Sequence, residues 1–440
     1  MEDYETICNI SPERMLEISA YICDQMDRGL RGDKSDLKMI PSFVDSVCTG
    51  TYMLKNLIKG QEQGMAMAMD MGGSNVRVTK YRLMGNGVLE VVKEVKRAFP
   101  EEYLTGTADQ VFGFLADCIK ETSPEPNIKF GFTFSFPCEQ TAINRSTLMI
   151  WTKGFAATGC IGKDPVLLLE KALQERGIDM KVTAFCNDTV GTLISRSYSD
   201  PNTGVGIILG TGCNAAYMEK VDRIKKMKVK SRTGKMIINM ECGATGDGNP
   251  SILPRLPFDI ALDPLTPNPG RQTLEKMMSG FYLGELSRMW AVDLYSKKQL
   301  FLDHPGDCDF LTKNLCFDSK YCSLILGDTT EHLEEIDRIL IQFGILHSTK
   351  EDREKMQRVV YHIVKRSARL MASFVHAIYT HMGEDFNGYT VGIDGSVYKF
   401  MPYYQGWVND ALRELGRDDI FLGYAEDGSC IGAALIAFES

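Results

Sequence analysis

Residues 65–84 read MAMAMDMGGSNVRVTKYRLM. Runs rich in methionine, valine and alternating small residues flank a Gly72-Gly73 pair, which predicts a strand, a tight glycine turn and a second strand. A third strand, VLEVVKEVKR, follows at 88–97, so the segment reads as a β-meander. Glycines let such a turn adopt positive φ and aim successive N–H groups at an anion, and the Ser74 hydroxyl adds a donor. Asp70 ends the first strand, where its carboxylate could hold Mg²⁺ directly or through water. An ordinary hairpin turn accounts equally well for one such motif. It accounts less well for two. GVGIILGTGCNAAYMEKV at 204–221 repeats strand, glycine turn and strand, with a third strand at MIINMEC, 236–242. Gly73-Ser74-Asn75 aligns with Gly212-Cys213-Asn214, which predicts two related α/β halves whose hairpins clamp a nucleotide's phosphates across a cleft.

Other phosphate motifs fit less well. Gly210-Thr211-Gly212 formally opens a GxGxxA match, but a strand-like run follows it where a dinucleotide fingerprint requires a helix. No GxxxxGK[ST] is present.

Around these hairpins the pattern is helical and extended in turn. Ser11-Pro12 predicts an N-cap and first helical position, with Met15, Ile18, Ile22 and Met26 on one face up to Gly29. A helix is expected over 107–119, a strand over 128–136, a helix from Asp164 to Arg176 and a strand over 181–186. The Pro-rich stretch 250–269 reads as a loop, 273–302 as largely helical, and Thr349-x-x-Asp352 as a capping box opening a long helix. Strands at 389–397 and 420–428 and a short apolar helix close the chain.

The chain has 440 residues, a net charge of −9 and 44% hydrophobic residues, enough for two or three globular domains. The acidic balance argues against a whole-surface grip on nucleic acid or anionic lipid, and no apolar run reaches the ~18–20 residues that span a bilayer. Thirteen cysteines without a CxxC pair give no zinc or disulfide framework and predict a reducing, cytoplasmic setting. The basic stretch from Lys220 to Lys235 reads as a solvated hairpin loop.

The loop Asn187-Asp188-Thr189 lies where a strand gives way to a helix. It is either an Asx turn with Asp188 or Thr189 capping that helix or the seat of a general base, since a carboxylate against a hydroxyl can take its proton as the oxygen attacks a γ-phosphate.

Taken together, the motifs resemble those of the hexokinases. MDMGGSNVRV (69–78), GFTFSFPCEQ (131–140), WTKGF (151–155), NDTVGTL (187–193), ILGTGCNAAYME (208–219), INMECGATGD (238–247), NPGRQTLEKMMSGFYLGEL (268–286), VGIDGSVY (391–398) and EDGSCIGAA (426–434) occur in the family's order. The resemblance implies an α/β, ribonuclease-H-like, actin-type ATPase fold with two domains around a central cleft. Residues 66–187 would be the small domain and 188–440 the large one, with 1–65 packing on the latter as part of a single catalytic unit. It implies transfer of the γ-phosphate of MgATP to the 6-hydroxyl of glucose and related hexoses, the first step of glycolysis, with Asp188 as base. Ser135, Thr152, Lys153, Asn187, Asp188, Asn214, Glu241, Gln272 and Glu275 would bind the hexose. Asp70, Gly72, Gly73, Ser74, Asn75 and Arg77 would serve the first phosphate site, with Asp70 toward Mg²⁺, and Gly210, Thr211 and Gly212 the second. Asp394, Gly395, Ser396, Asp427, Gly428 and Ser429 would lie near the nucleoside. The expected partners are hexose and MgATP, without nucleic acid or membrane, for a monomer or homodimer. A catalytically weak hexose sensor or scaffold is the alternative. Cys242 and Thr245 stand where the family has Trp and Phe, predicting looser packing behind Glu241, and Cys430 replaces a glycine near the adenosine motif, predicting an altered nucleotide pocket.

Overall fold

The computed structural model describes residues 2–45, 62–73, 75–85, 88–152, 154–304, 306–383 and 390–440. Ser74, Lys153 and the segment 51–61, read from the sequence as a loop elaboration, lie outside the described residues.

The strands are β1 (Ile40–Pro41), β2 (Gln63–Met71), β3 (Asn75–Gly85), β4 (Val88–Ala98), β5 (Lys129–Phe134), β6 (Cys138–Ala142), β7 (Arg145–Leu148), β8 (Ala184–Cys186), β9 (Thr203–Leu209), β10 (Cys213–Lys220), β11 (Lys235–Asn239), β12 (Thr390–Asp394) and β13 (Phe421–Tyr424). They form a five-stranded sheet ordered β4-β3-β2-β5-β8 and a six-stranded sheet ordered β1-β11-β10-β9-β12-β13, with β6-β7 a separate hairpin. Apart from the short β1, the orders are identical. In each sheet a three-stranded antiparallel meander contributes its first strand to a parallel run: β2 with β5 and β8, β9 with β12 and β13. The aligned hairpins at 72–75 and 210–213 are therefore equivalent turns of a duplicated topology.

The helices that matter most are α1 (Pro12–Arg31), α2 (Ala108–Glu121), α3 (Pro165–Glu175), α4 (Asp188–Ser199), α5 (Thr273–Met278), α6 (Leu283–Ser296), α7 (Lys350–Met382), α8 (Tyr404–Glu414) and α9 (Gly428–Glu439). The duplication extends to α4 and α9, which follow β8 and β13, the last strand of each sheet, and pack on each other. Their backbones meet at glycines: a Cβ added to Gly432 would stand 1.9 Å from the Gly191 carbonyl oxygen, and one on Gly191 2.6 Å from that of Ser429. Only residues without side chains permit this approach.

Two apolar cores flank the crossing. One joins α2 and α3 to the five-stranded sheet through Phe130, Phe132, Phe134, Phe136, Trp151, Phe155 and Phe185, whose rings meet at 4.8–5.9 Å. The other runs from α1 through the six-stranded sheet to α6, α7 and α8. In the second, Arg366 of α7 is fully buried and grips both oxygens of Asp259 at 2.6 and 2.7 Å. Such a pair is far costlier to break than to keep.

Several boundaries differ from the sequence reading for physical reasons. α1 runs past Gly29 to Arg31 and ends on left-handed Gly32, while Gly29 makes room for Met39, whose Cγ would stand 2.5 Å from an added Cβ. The strand expected over 181–186 pairs only from Ala184, opposite Gly131 of β5. The strand expected over 236–242 stops at Asn239 because Glu241 turns left-handed, φ 54°. The Pro-rich stretch holds a helix at Pro257–Leu262 with proline in its first turn. The capping box at Thr349 and Asp352 is formed as read. The basic stretch is partly docked: Arg223 pairs with Glu219 and Asp27, Arg232 with Asp45, and the Lys226 amine donates to the Lys38 carbonyl.

Candidate active site

Asn187 caps α4 from the end of β8, its Oδ1 accepting from the Thr189 amide at 3.0 Å and the Thr189 hydroxyl at 2.6 Å. Asp188 is thereby the first residue of α4, where the positive end of the helix dipole favours a carboxylate. Its Oδ1 accepts from the Thr189 amide at 2.9 Å. The cap is made by Asn187 and not by Asp188 or Thr189, the residues expected for it, because the helix begins one residue earlier, at Asp188.

From Asn187 a chain of amides crosses to the six-stranded sheet. Asn214 Oδ1 accepts from the backbone amides of Ala215 (2.7 Å) and Cys242 (3.3 Å), so its Nδ2 must face Asn187 Oδ1 (3.3 Å) and Asn239 Oδ1 (2.8 Å). Asn239 in turn donates to Glu241 Oε1 at 2.8 Å. Asn239 was not singled out from the sequence. The available signal was its place two residues before Glu241, the spacing that puts side chains on one face of a strand.

Of the remaining sugar candidates, Glu275 and Gln272 lie beside the start of β10 and the turn after Glu241, whereas Ser135 and Thr152 belong to the other half. Glu275 on α5 accepts from the Cys213 amide at 3.0 Å and lies over Gly212, where a Cβ would clash with its Oε2 at 2.5 Å. Gln272 lies against Gly243, with its Oε1 2.2 Å from where a Cβ would be. Gln272 and Glu241 both take left-handed backbones, φ 60° and 54°, a costly conformation for residues with a Cβ and one concentrated at functional sites. Asp247, also missed, holds Gln272 in that state by accepting from the amides of Gln272 (3.0 Å) and Thr273 (2.9 Å). Ser135, at the end of β5, is buried, its amide donating to the Met71 carbonyl at 3.2 Å; Thr152 is half-buried near Trp151. A cavity of about 10 Å³ lined by Phe134, Phe136, Asn187 and Asn239 brings this side of the cleft against the amide chain.

At the positions where the family has Trp and Phe, Cys242 and Thr245 are both buried, and the Thr245 hydroxyl donates to the Cys242 carbonyl at 2.8 Å.

The first phosphate turn, with half-buried Gly72 and Gly73 and exposed Asn75, is tied to the second half. Asp70 Oδ2 accepts from the Ser429 hydroxyl at 2.6 Å, and Arg77 pairs with Asp427, a left-handed residue just before Gly428 and α9. Asp70 and Asp188 both act electrostatically on Cys186, at the end of β8. Burial pushes its thiol up to about 12, Thr133 lowers it, and the two carboxylates add to the rise. The second turn is held differently: the Gly210 carbonyl accepts from the Gly280 amide at 2.7 Å and the Thr211 carbonyl from that of Phe281 at 3.2 Å. Gly395 packs on Gly210, its Cα 3.5 Å from a Cβ built there, and its amide donates to Asp394 Oδ1 at 2.7 Å. Burial raises the Asp394 carboxyl. Ser396 is exposed at the start of the next helix. Cys430 is fully buried, and its thiol reaches the Ala68 carbonyl at 3.7 Å.

Facing glycine turns on a duplicated sheet, with a carboxylate- and amide-lined cleft between them, define a kinase of the ribonuclease-H-like, actin-type ATPase fold. Two family models, each described as Hexokinase, match residues 1–198 and 204–438. The chain is 34% identical over 450 residues to Hexokinase-1 of Schizosaccharomyces pombe, covering 99% of this chain and 90% of that protein. It is 38% identical over 442 residues to Hexokinase-2 of Rattus norvegicus, covering 97% of this chain and 46% of the rat protein. A solved hexokinase from Schistosoma mansoni complexed with glucose superposes with a TM-score of 0.87 at 32% identity, covering 100% of this chain and 98% of that one. The chain belongs to the hexokinase family.

Proposed function

We propose that the protein transfers the γ-phosphate of MgATP to the 6-hydroxyl of glucose and related hexoses. The observation that carries this reading is the junction at β8 and α4: Asp188 opens the helix, and its neighbour Asn187 anchors the amide chain that runs through Asn214 and Asn239 to Glu241. Asp188 accepts the proton of the 6-hydroxyl as that oxygen attacks, with one carboxylate oxygen oriented by the Thr189 amide. Asn187, Asn214, Glu241, Gln272 and Glu275, with Ser135 and Thr152 from the other half and Lys153 as the family resemblance implies, match the sugar hydroxyls with polar partners. Each unmatched hydroxyl would cost binding. The turns at 72–75 and 210–212 cradle the phosphates.

Asp70 is suited to hold Mg²⁺ with water and phosphate oxygens. Mg²⁺ needs only one or two protein carboxylates, and among the described residues no cluster of three acidic, His or Cys side chains competes for it. Mg²⁺ supplies charge neutralisation at the phosphates. The chain's own residues align donor and acceptor and exclude water as 66–187 closes on 188–440. Asp394, Gly395, Ser396, Asp427, Gly428 and Ser429 border the nucleoside. A glycolytic, cytoplasmic role as monomer or homodimer fits this chemistry; no helix among the described residues is long and apolar enough to cross a membrane.

A coupled assay over a panel of hexoses and phosphoryl donors tests the reading. Sugar-dependent ADP release that is lost in Asp188→Ala supports it. Hexose binding without turnover in the wild type would restore the sensor alternative.

A further inference from the structure

Away from the cleft, a cavity of about 830 Å³ opens between the loop at 328–333, the amino-terminal half of α7 and the start of α8. None of its lining residues belongs to the kinase site. Its walls are preformed. Both oxygens of Asp328 are engaged, Oδ1 by the Thr330 amide and hydroxyl (3.1 and 2.6 Å) and Oδ2 by the amides of Glu335 and Ile336 (2.9 and 3.1 Å). Gln357 of α7 donates to the carbonyls of Ile325 and Asp328 at 3.0 and 2.9 Å. Two lining residues, Leu333 and Tyr403, hold left-handed backbones at φ 53° and 65°. Such strain persists only where surrounding structure imposes it.

The lining combines aromatic faces with free polar groups. Tyr403 and Trp407 lie 5.8 Å apart with only 36° between their planes, and Tyr361 meets Trp407 edge-on at 5.2 Å. The Tyr403 ring is 58% exposed, an unusual position for a large aromatic on a strained backbone. Lys350, Glu331 and Glu354 line the same cavity, and among the described residues no side-chain ion pair or hydrogen bond engages the three. Arg358 is already paired to Glu5 at 2.5 Å. The free charges are therefore mixed in sign, favouring neither a phosphorylated ligand nor a polycation. A neutral ligand with flat apolar faces and a hydroxyl-rich edge satisfies both the ring platform and the mixed donors and acceptors.

We propose that this cavity is a second carbohydrate site, which binds the pyranose rings of a glucan chain by stacking on Tyr403 and Trp407. It is independent of the hexose in the kinase cleft. Of the three tryptophans, Trp151 and Trp290 are buried, so Trp407 is the natural reporter.

The test uses the full chain with saturating glucose, so that the cleft is filled, titrated with maltoheptaose and with cellohexaose by calorimetry and tryptophan fluorescence. Saturable binding of either glucan, weakened at least tenfold in Tyr403→Ala with unchanged turnover on glucose, is the expected result. Trp407→Ala should abolish the calorimetric signal, and the exposed Tyr403 keeps the test decisive if the tryptophan variant folds poorly. The proposal is overturned if neither oligosaccharide binds, if Tyr403→Ala binds as well as wild type, or if adenosine binds there and the glucans do not.

Discussion

The two halves share strand order and turn position, yet they fix their phosphate turns by different means. The turn at 210–212 is secured within its own half, through the amides of Gly280 and Phe281 and through Glu275 on the Cys213 amide. The turn at 72–75, beside which the Ser135 amide of its own half reaches the Met71 carbonyl, also has polar anchors in the other half, at the start of α9: Ser429 on Asp70 and Asp427 on Arg77. A duplicated fold has thus become a side that secures its turn alone and a side whose turn also leans on its partner.

The sharpest test of the junction between the halves is Asp188→Ala. Turnover should fall by at least ~100-fold, the low end for losing a general base, with sugar affinity much less affected. Steady-state kinetics alongside direct glucose binding separates the two, and near-wild-type turnover would remove Asp188 from the chemistry. Asn239→Ala tests the self-organised side. It deletes the donor to Glu241 and the acceptor for Asn214, and hydrogen bonds to charged groups are worth about 1.5–3 kcal/mol. Glucose KM should therefore rise roughly tenfold or more, with a smaller change in kcat. An unchanged KM would mean that Glu241 is positioned without the amide chain.

Most of this architecture was legible because it is written in local patterns. The duplicated strand–turn–strand order and the Thr349 capping box depend on residues a few positions apart, and both form as read, while the helix after β8 is capped one residue earlier than expected, by Asn187. What escaped depends on distant partners. Asn239 is an ordinary strand residue until Asn214, on the neighbouring strand, and Glu241 are beside it. Gly29 resembles a helix terminator until Met39 occupies the space a side chain would need.

The crossing of α4 and α9 is where the dependent half leans on the other, and Gly432→Val probes it. A side chain at 432 meets the Gly191 backbone, so the helices must part at a cost of about 1–3 kcal/mol, typical of overpacking. The melting temperature should fall and the KM for ATP should rise, because α9 carries Ser429 against Asp70. A lower melting temperature with unchanged ATP kinetics would show that the first turn is fixed without α9.

The smallest expected effect lies in the self-organised half, where Glu219 of β10 is buried against α7. Burial alone would raise its carboxyl, but hydrogen bonds with His381 (2.6 Å) and Tyr217 (2.7 Å) and the charge of Arg223 hold it below the ordinary 4.5. A carboxyl lowered on folding stabilises the native state above its unfolded pKa, and that contribution is lost as pH falls through the folded value. Glu219→Gln should therefore melt below wild type at pH 7, with the gap narrowing as pH drops beneath about 4.5. Thermal melts across pH 3–7 read this directly. A gap independent of pH would assign the loss to packing, leaving the second half's rigidity to its apolar core and to the Arg366–Asp259 pair.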